Sequence, residues 1–148
     1  MFNSILTLFQ KQAPATPLTE IDTRHALGAL LVRAAKADQV YLFTEIEQID
    51  DVLAHRYKLT PEETTKLRLE CERLDTIVPD GKTFAAILRD AIDYEERVAT
   101  VLALWEVVFA DGHKAAKEEK LLDQLETLLG VPTEKSKELH DLVRDAQS

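Results

Sequence analysis

The sequence is poor in the features that define several common classes of protein. Its single cysteine, Cys71, excludes an internal disulfide and fits a reducing compartment. We expect it to be a partly buried apolar residue. No stretch approaches the roughly 20 apolar residues that a membrane-spanning helix needs. Only 4 glycines and 5 prolines occur among 148 residues, so long segments carry no helix breaker. These absences favour a helical, cytoplasmic domain.

Positive charge is also scarce. The chain has 18 lysines and arginines against 27 aspartates and glutamates, which gives a formal net charge of −9. Such an excess repels nucleic-acid phosphates and anionic lipid head groups. We therefore expect no nucleic-acid partner, and we expect cations, basic partners or simple solubility to account for the charge. A hydrophobic fraction of 45% suits a globular fold.

The N-terminal residues differ from the rest of the chain. Residues 2–9 are apolar, but they lack the basic start and the cleavage site of a signal peptide. Two interpretations stay open: an arm or short helix that docks on the domain or a partner, and weak peripheral contact with a membrane. Residues 10–17 contain two prolines among small residues, which predicts a linker. The chain thus divides into an N-terminal segment, 1–17, and a helical domain, 18–148.

The domain is predicted to be an all-α bundle of about seven to eight helices. Apolar residues recur at spacings of three and four, which is typical of one helix face. Thr60, Pro61 and Glu63 give the clearest start signal: an N-cap, a proline in the first turn and the second half of a capping box. Thr44 and Glu47 predict another capping box. The predicted helices are 20–37, 44–57, 61–74, 83–92, 94–110, 115–129 and 133–146.

One helix is expected to lie at the centre of the bundle. The segment 94–110 is apolar on most of its sides, which is typical of a helix surrounded by others. Gly112 follows it in the position that glycine often takes after a helix end.

A three-helix unit is predicted to occur twice, as an internal pseudo-symmetric duplication. An offset of 73 positions aligns Asp38 with Asp111 and Glu45 with Glu118. Apolar positions on the flanking helices align as well. Each copy reads as a helix, an acidic turn, a second helix, a short break and a third helix.

The two acidic turns are the candidate site. Asp38 and Asp111 fall at helix ends, where the helix dipole disfavours negative charge, while Glu45 and Glu118 fall in the first turn of the next helix. If each helix pair forms a hairpin, two carboxylates come together and a cation between them relieves their repulsion. Oxygen ligands suit calcium or magnesium. His113 would add a nitrogen ligand and favour a transition metal at the second turn.

A purely structural interpretation competes with the cation site. The glutamates can complement helix N-termini, and the aspartates can accept hydrogen bonds from backbone N–H groups within the turns. The other histidines, His25, His55 and His140, have no evident acidic partner at ligand spacing.

The same residues resemble the TerB-like tellurite-resistance family, in which a helix ends in an Ala-Asp-Gly turn, a glutamate follows seven residues after the aspartate, and the unit occurs twice. The matching segments are Ala37-Asp38, Glu45, Leu59-Thr60-Pro61-Glu62-Glu63, Ala110-Asp111-Gly112, Glu118 and Val131-Pro132. The resemblance covers roughly residues 26–146. It implies an all-helical fold, a role in tellurite resistance or stress response, and the four acidic residues of the turns as metal ligands. The chain departs from the motif at Gln39, where the family has glycine.

We therefore expect a non-enzymatic domain that binds a divalent cation at Asp38, Glu45, Asp111, Glu118 and His113. The first alternative is a protein interaction module, which docks a partner or a second copy and uses the acidic turns only as caps. The last alternative is an acid/base enzyme with paired carboxylates.

Overall fold

The computed structural model describes residues 21–37, 41–110 and 116–146, without the side chains of 116–119. Within these ranges the chain forms seven helices and no strand, which confirms the all-α prediction. Of these helices, none has the combined length and apolarity that crossing a bilayer requires. The helices are α1 (Thr23–Ala35), α2 (Phe43–Tyr57), α3 (Pro61–Ile77), α4 (Lys82–Ala91), α5 (Tyr94–Val108), α6 (Ala116–Leu128) and α7 (Thr133–Ala146).

The bundle is built around α1. Ten of its thirteen residues are buried, and it packs against α2, α3, α4, α5 and α6. The prediction that the segment 94–110 would be the most buried helix was wrong, because only seven of the fifteen residues of α5 are buried. Alanine, glycine and leucine cover nearly every side of α1, so neighbours can approach it from all directions. The first turn of α5 carries Glu95 and Glu96 and lies at the surface.

A glycine lets α1 approach α3 closely. A Cβ atom on Gly28 would lie 2.3 Å from Sγ and 3.2 Å from Cβ of Cys71. The Cys71 side chain is fully buried, more completely than expected, and its thiol donates a weak hydrogen bond to the backbone oxygen of His25 at 3.6 Å. Burial raises the pKa of the Cys71 thiol well above its usual value, so the side chain stays neutral and acts as a small apolar residue.

The helix starts follow local capping chemistry. Thr60 and Glu63 form the predicted capping box, with N–H···O distances of 2.9 and 3.2 Å, although α3 continues to Ile77 rather than ending at 74. The predicted box of Thr44 and Glu47 was wrong. Helix α2 begins one residue earlier, at Phe43, because a different glutamate reaches back to the helix start.

The helix boundaries recur along the chain. Helices α1 and α5 end 73 residues apart, α2 and α6 begin 73 residues apart, and α3 and α7 begin 72 residues apart. The helices thus form two sets, α1–α3 and α5–α7. In each set the first helix packs against the second and the third. Helix α4 joins the two sets and packs against α1 and α6. A common origin of the two sets stays a prediction, and Gly112 lies outside the described residues.

Replacing Gly28 with alanine is expected to lower the free energy of unfolding by about 1–3 kcal/mol, because the new methyl group overlaps the Cys71 sulfur. This loss exceeds the gain of about 1 kcal/mol that alanine brings to a helix interior. Urea unfolding of Gly28→Ala, Cys71→Ala and the double variant measures the coupling between the two positions. In the double variant, removal of the Cys71 sulfur should restore part of the free energy of unfolding that Gly28→Ala loses. Additive effects of the two substitutions would show that the close contact is unimportant.

Candidate functional site

The first acidic turn connects α1 to α2. Helix α1 ends at Ala35, and Lys36 and Ala37 continue as a turn. Asp38 lies outside the described residues. Glu45 lies in the first turn of α2 and is 2% exposed. Its Oε1 atom accepts a hydrogen bond from the backbone N–H of Leu42 at 2.9 Å.

The second acidic turn connects α5 to α6. Helix α5 ends at Val108, and α6 begins at Ala116. Asp111 and His113 lie outside the described residues. Glu118 belongs to α6, but its side chain also lies outside the described part of the structure. Of the five candidate ligands the structure thus positions the side chain of one, Glu45. Among the side chains that are described, no group of three acidic, histidine or cysteine residues is arranged to hold a metal ion.

Glu45 has a clear local role. It occupies the third position of α2, where its carboxylate satisfies a backbone N–H that the helix itself leaves without an acceptor. The negative charge also lies at the positive end of the helix dipole. Because Leu42 offers no side-chain oxygen, Glu45 supplies the capping contact at this start. The result is a buried carboxylate in a fixed position, seven residues after Asp38.

A groove of about 610 Å³ opens beside the first turn, between the ends of α1 and α3 and the surface of α6. Arg33 on its wall donates to the backbone oxygens of Asp75 at 2.7 Å and Val78 at 2.8 Å, and it also pairs with the Asp75 carboxylate. Lys36 lies 3.3 Å from the other oxygen of that carboxylate. Both cations therefore stabilise the C-terminal end of α3, where the helix dipole is negative.

A second groove, of about 420 Å³, lies between α2 and α5. Asp51 and His55 are one turn apart on α2, and Glu106 faces the same groove from α5. Burial raises the pKa of Glu106. Arg56 and Glu96, 3.7 Å apart, join the two helices nearby. This grouping brings His55 near acidic residues that sequence spacing alone did not assign to it.

The most enclosed ionic contact of the described residues joins α1 to α3. His25 is 1% exposed. Its Nδ1 atom lies 2.7 Å from Oδ1 of Asp22, and its Nε2 atom lies 2.9 Å from Oε1 of Glu70. An ionised carboxylate can only accept hydrogen bonds, so when Asp22 and Glu70 are both ionised, both ring nitrogens donate and the ring carries a proton on each. We name this arrangement the His25 bridge.

The pKa values of the bridge agree with a charged ring. Burial of His25 opposes protonation, but hydrogen bonds to Asp22 and Glu70 outweigh it and raise the pKa of the imidazole above 6.5. Burial also favours the neutral acid at Asp22, yet the side-chain and backbone hydrogen bonds from His25 lower the pKa of that carboxyl. At Glu70 burial prevails over the bond from His25 and raises the pKa of the carboxyl. Asp22 is therefore the more firmly ionised partner.

Sequence spacing missed the His25 bridge. Half of it has a local signal, because Asp22 is the N-cap of α1 and His25 follows three residues later, within reach of a cap side chain. Glu70 is 45 residues away from His25 along the chain and carries no local signal. Only the packing of α3 on α1 brings it there.

The second helix set has a different polar contact in its core. Trp105 donates through Nε1 to Oγ of Ser136 at 3.2 Å, and Ser136 also hydrogen-bonds Glu126, which is 4% exposed. Burial raises the pKa of Glu126, which favours its neutral form. His140 packs edge-on against Trp105 with ring centroids 4.7 Å apart. The two sets thus share helix boundaries but not core chemistry.

Replacing Glu45 with alanine is expected to lower the free energy of unfolding by about 1–3 kcal/mol, because the N–H of Leu42 loses its acceptor. The matched control is Glu47→Ala, which removes the same charge from an exposed position of the same helix and should cost less than about 0.5 kcal/mol. Urea unfolding with a chelator present measures both variants without bound metal. Equal losses in the two variants would contradict the capping role.

Comparison with known proteins places this fold in a family. A family model described as tellurite resistance protein TerB matches residues 24–141, from the first turn of α1 into α7. Neither the curated proteins nor the solved structures give a match. The family match spans 118 of the 148 residues and includes both acidic turns. The chain therefore belongs to the TerB family of tellurite-resistance proteins.

Proposed function

We propose that the domain binds a divalent cation at its acidic turns and acts as a non-enzymatic component of a tellurite-resistance or stress-response system. The observation that carries this proposal is the buried Glu45 carboxylate, held at the start of α2 by its bond to Leu42. A carboxylate in a fixed position loses little conformational entropy when it binds an ion. Asp38, directly after the turn that ends α1, is the second ligand of that site.

The charge of the protein supports a cation as the ligand. A formal charge of −9 raises the local concentration of cations. Asp38 and Asp111 follow helix ends, where the dipole adds to their negative charge. A bound cation relieves both repulsions. This binding role requires only the carboxylates, whereas acid/base catalysis would also require two carboxyl groups with pKa values pushed apart.

The second turn is the stronger of the two candidates. It keeps the glycine of the family motif, Gly112, and adds the imidazole of His113. The first turn has Gln39 in place of glycine, and glutamine adopts a left-handed turn conformation less readily. Oxygen ligands alone favour calcium or magnesium, and an added nitrogen ligand favours zinc or another transition metal that binds imidazole. We expect the second turn to bind a transition metal more tightly than the first.

Calorimetric titration with calcium, magnesium, manganese and zinc tests the proposal. The variant Asp111→Asn/Glu118→Gln is expected to bind the ion at least about 10- to 100-fold more weakly. Disturbing the residues around a bound metal commonly costs this much affinity. The variant Asp38→Asn/Glu45→Gln reports on the first turn in the same way. The charge-matched control is Asp90→Asn/Glu134→Gln, which changes two exposed acids elsewhere and should bind as the unchanged protein does. No binding of any of the four ions, or equal binding by all variants, would refute the cation site.

A second candidate function, a protein interaction module, is favoured by exposed apolar side chains beside the first turn. Phe43 is 71% exposed and Leu42 is 37% exposed, although both begin a helix that packs into the core. An exposed aromatic side chain of this kind commonly marks a contact surface. In this interpretation the buried Glu45 only fixes the backbone that presents Phe43.

Sedimentation velocity over a wide concentration range tests whether the partner is a second copy of the chain. Phe43→Ser is expected to weaken any self-association, because it removes the largest exposed apolar group at this end of α2. Leu69→Ser is the matched control, since Leu69 is 53% exposed on α3. A monomer at every concentration would contradict self-association through Phe43, and so would equal behaviour of the two variants.

A further inference from the structure

The His25 bridge lies where the chain enters the bundle. Ile21 and Asp22 precede α1, and Ile21 is buried at 5% exposure. Asp22 holds the first turn of α1 through the backbone N–H of His25 at 3.0 Å, and the N–H of Ala26 donates to the backbone oxygen of Asp22 at 2.9 Å. The same carboxylate holds the His25 ring, which in turn reaches Glu70 in the middle of α3. The entry point of the bundle is thus tied to α3 through one imidazole.

Loss of one proton would change this connection. A neutral imidazole has one donor and one acceptor, so it can keep only one of its two bonds to the carboxylates. The other ring nitrogen would then present a lone pair to a carboxylate oxygen at less than 3 Å, beside a ring that is itself buried. This contact is repulsive, and both carboxylates are only partly buried, with side-chain exposures of 30% at Asp22 and 11% at Glu70, so the repelled carboxylate can turn to water and the bridge opens.

We propose that the His25 bridge is a proton-operated latch that holds the first turn of α1 on α3 and releases it when His25 loses its proton. The latch acts on the first turn of α1, and it is independent of the proposed cation site. Its opening releases that turn without unfolding the rest of the domain.

Two titratable groups beside the bridge stay neutral over the relevant pH range. From α2, Tyr57 lies near Asp22, and burial raises its pKa to about 12, with Arg24 placed 4.8 Å above its ring. From α3, burial keeps the Cys71 thiol neutral. Lys66, also on α3, lies near Glu70 and favours its ionised form. Among the described residues, the carboxylates of Asp22 and Glu70 both raise the pKa of the His25 ring.

The pH window follows from the direction of these shifts. The pKa of His25 in the folded protein lies above its ordinary value of 6.5, so the bridge stabilises the first turn fully below pH 6.5. That contribution is lost as the pH rises from 6.5 through the folded-state pKa. The pKa of Asp22 is lowered, so its contribution is lost only as the pH falls below 3.8, whereas burial raises the pKa of Glu70, so Glu70 loses its charge before Asp22 does as the pH falls. The latch is therefore closed in mildly acidic solution and opens toward alkaline pH.

Two measurements on the full chain test the latch. Nitrogen-15 NMR of the His25 ring is expected to show both nitrogens protonated at pH 6.5 and a titration midpoint above that value. Hydrogen exchange over 22–30, corrected for the intrinsic rate at each pH, is expected to show protection that falls by up to about tenfold per pH unit between 6.5 and that midpoint and then levels off. Protection of α5 and α7 should not follow this course.

Variants separate the latch from ordinary packing. Glu70→Gln keeps an acceptor but removes a charge, so the NMR midpoint and the exchange transition should both move to lower pH. His25→Gln should abolish the pH dependence over 22–30. His140→Gln is the control, since His140 lies on α7 and should leave both readouts unchanged.

Three results would overturn the latch. The first is a His25 ring with a single protonated nitrogen at pH 6.5. The second is an unchanged exchange transition in Glu70→Gln, which stays informative if His25→Gln fails to fold. The third is a loss of protection in α5 and α7 that parallels the loss over 22–30, since this would show global unfolding instead of local release.

Discussion

The close approach of α1 to α3 is the contact on which the remaining structure depends. Gly28 has no side chain, so the two helix backbones can come near enough for the Cys71 sulfur to fill the space that a Cβ atom would take. This approach lets α1 occupy the middle of the bundle, with five other helices around it. It also sets the distance between His25 and Glu70, since both lie within three residues of the contact. The packing of α1 on α3 therefore also fixes the geometry of the His25 bridge.

Local chemistry made most of the fold predictable. The Thr60 capping box, the proline at 61 and the three-to-four spacing of apolar residues act within one or two turns of a helix, so they can be read from neighbouring residues. The helix 133–146 was predicted to the residue. Two errors had physical causes. The glutamate that caps the start of α2 is Glu45 and not Glu47, because Glu45 accepts a hydrogen bond from the N–H of Leu42. The central helix is α1 and not the segment 94–110, because the small residues of α1 allow other helices to pack on every side of it.

The site was less predictable, because ionic contacts between helices depend on packing. The spacing of aspartate and glutamate at the two turns is a local signal, and the structure bears on it through the buried Glu45 alone. The bridge from His25 to Glu70 joins residues 45 positions apart and has no signature in either helix. The family match spans both turns, and it leaves the ligand and the partner as proposals.

The different cores of the two helix sets have an optical consequence. Trp105 is the only tryptophan of the chain, and it lies in α5 against Ser136 and His140 of α7. The first set contains tyrosines, Tyr41 preceding α2 and Tyr57 at its end, but no tryptophan. Intrinsic fluorescence excited at the red edge of the indole band therefore originates in the second set alone. The chain carries its own probe for whether its two halves lose structure together or in sequence.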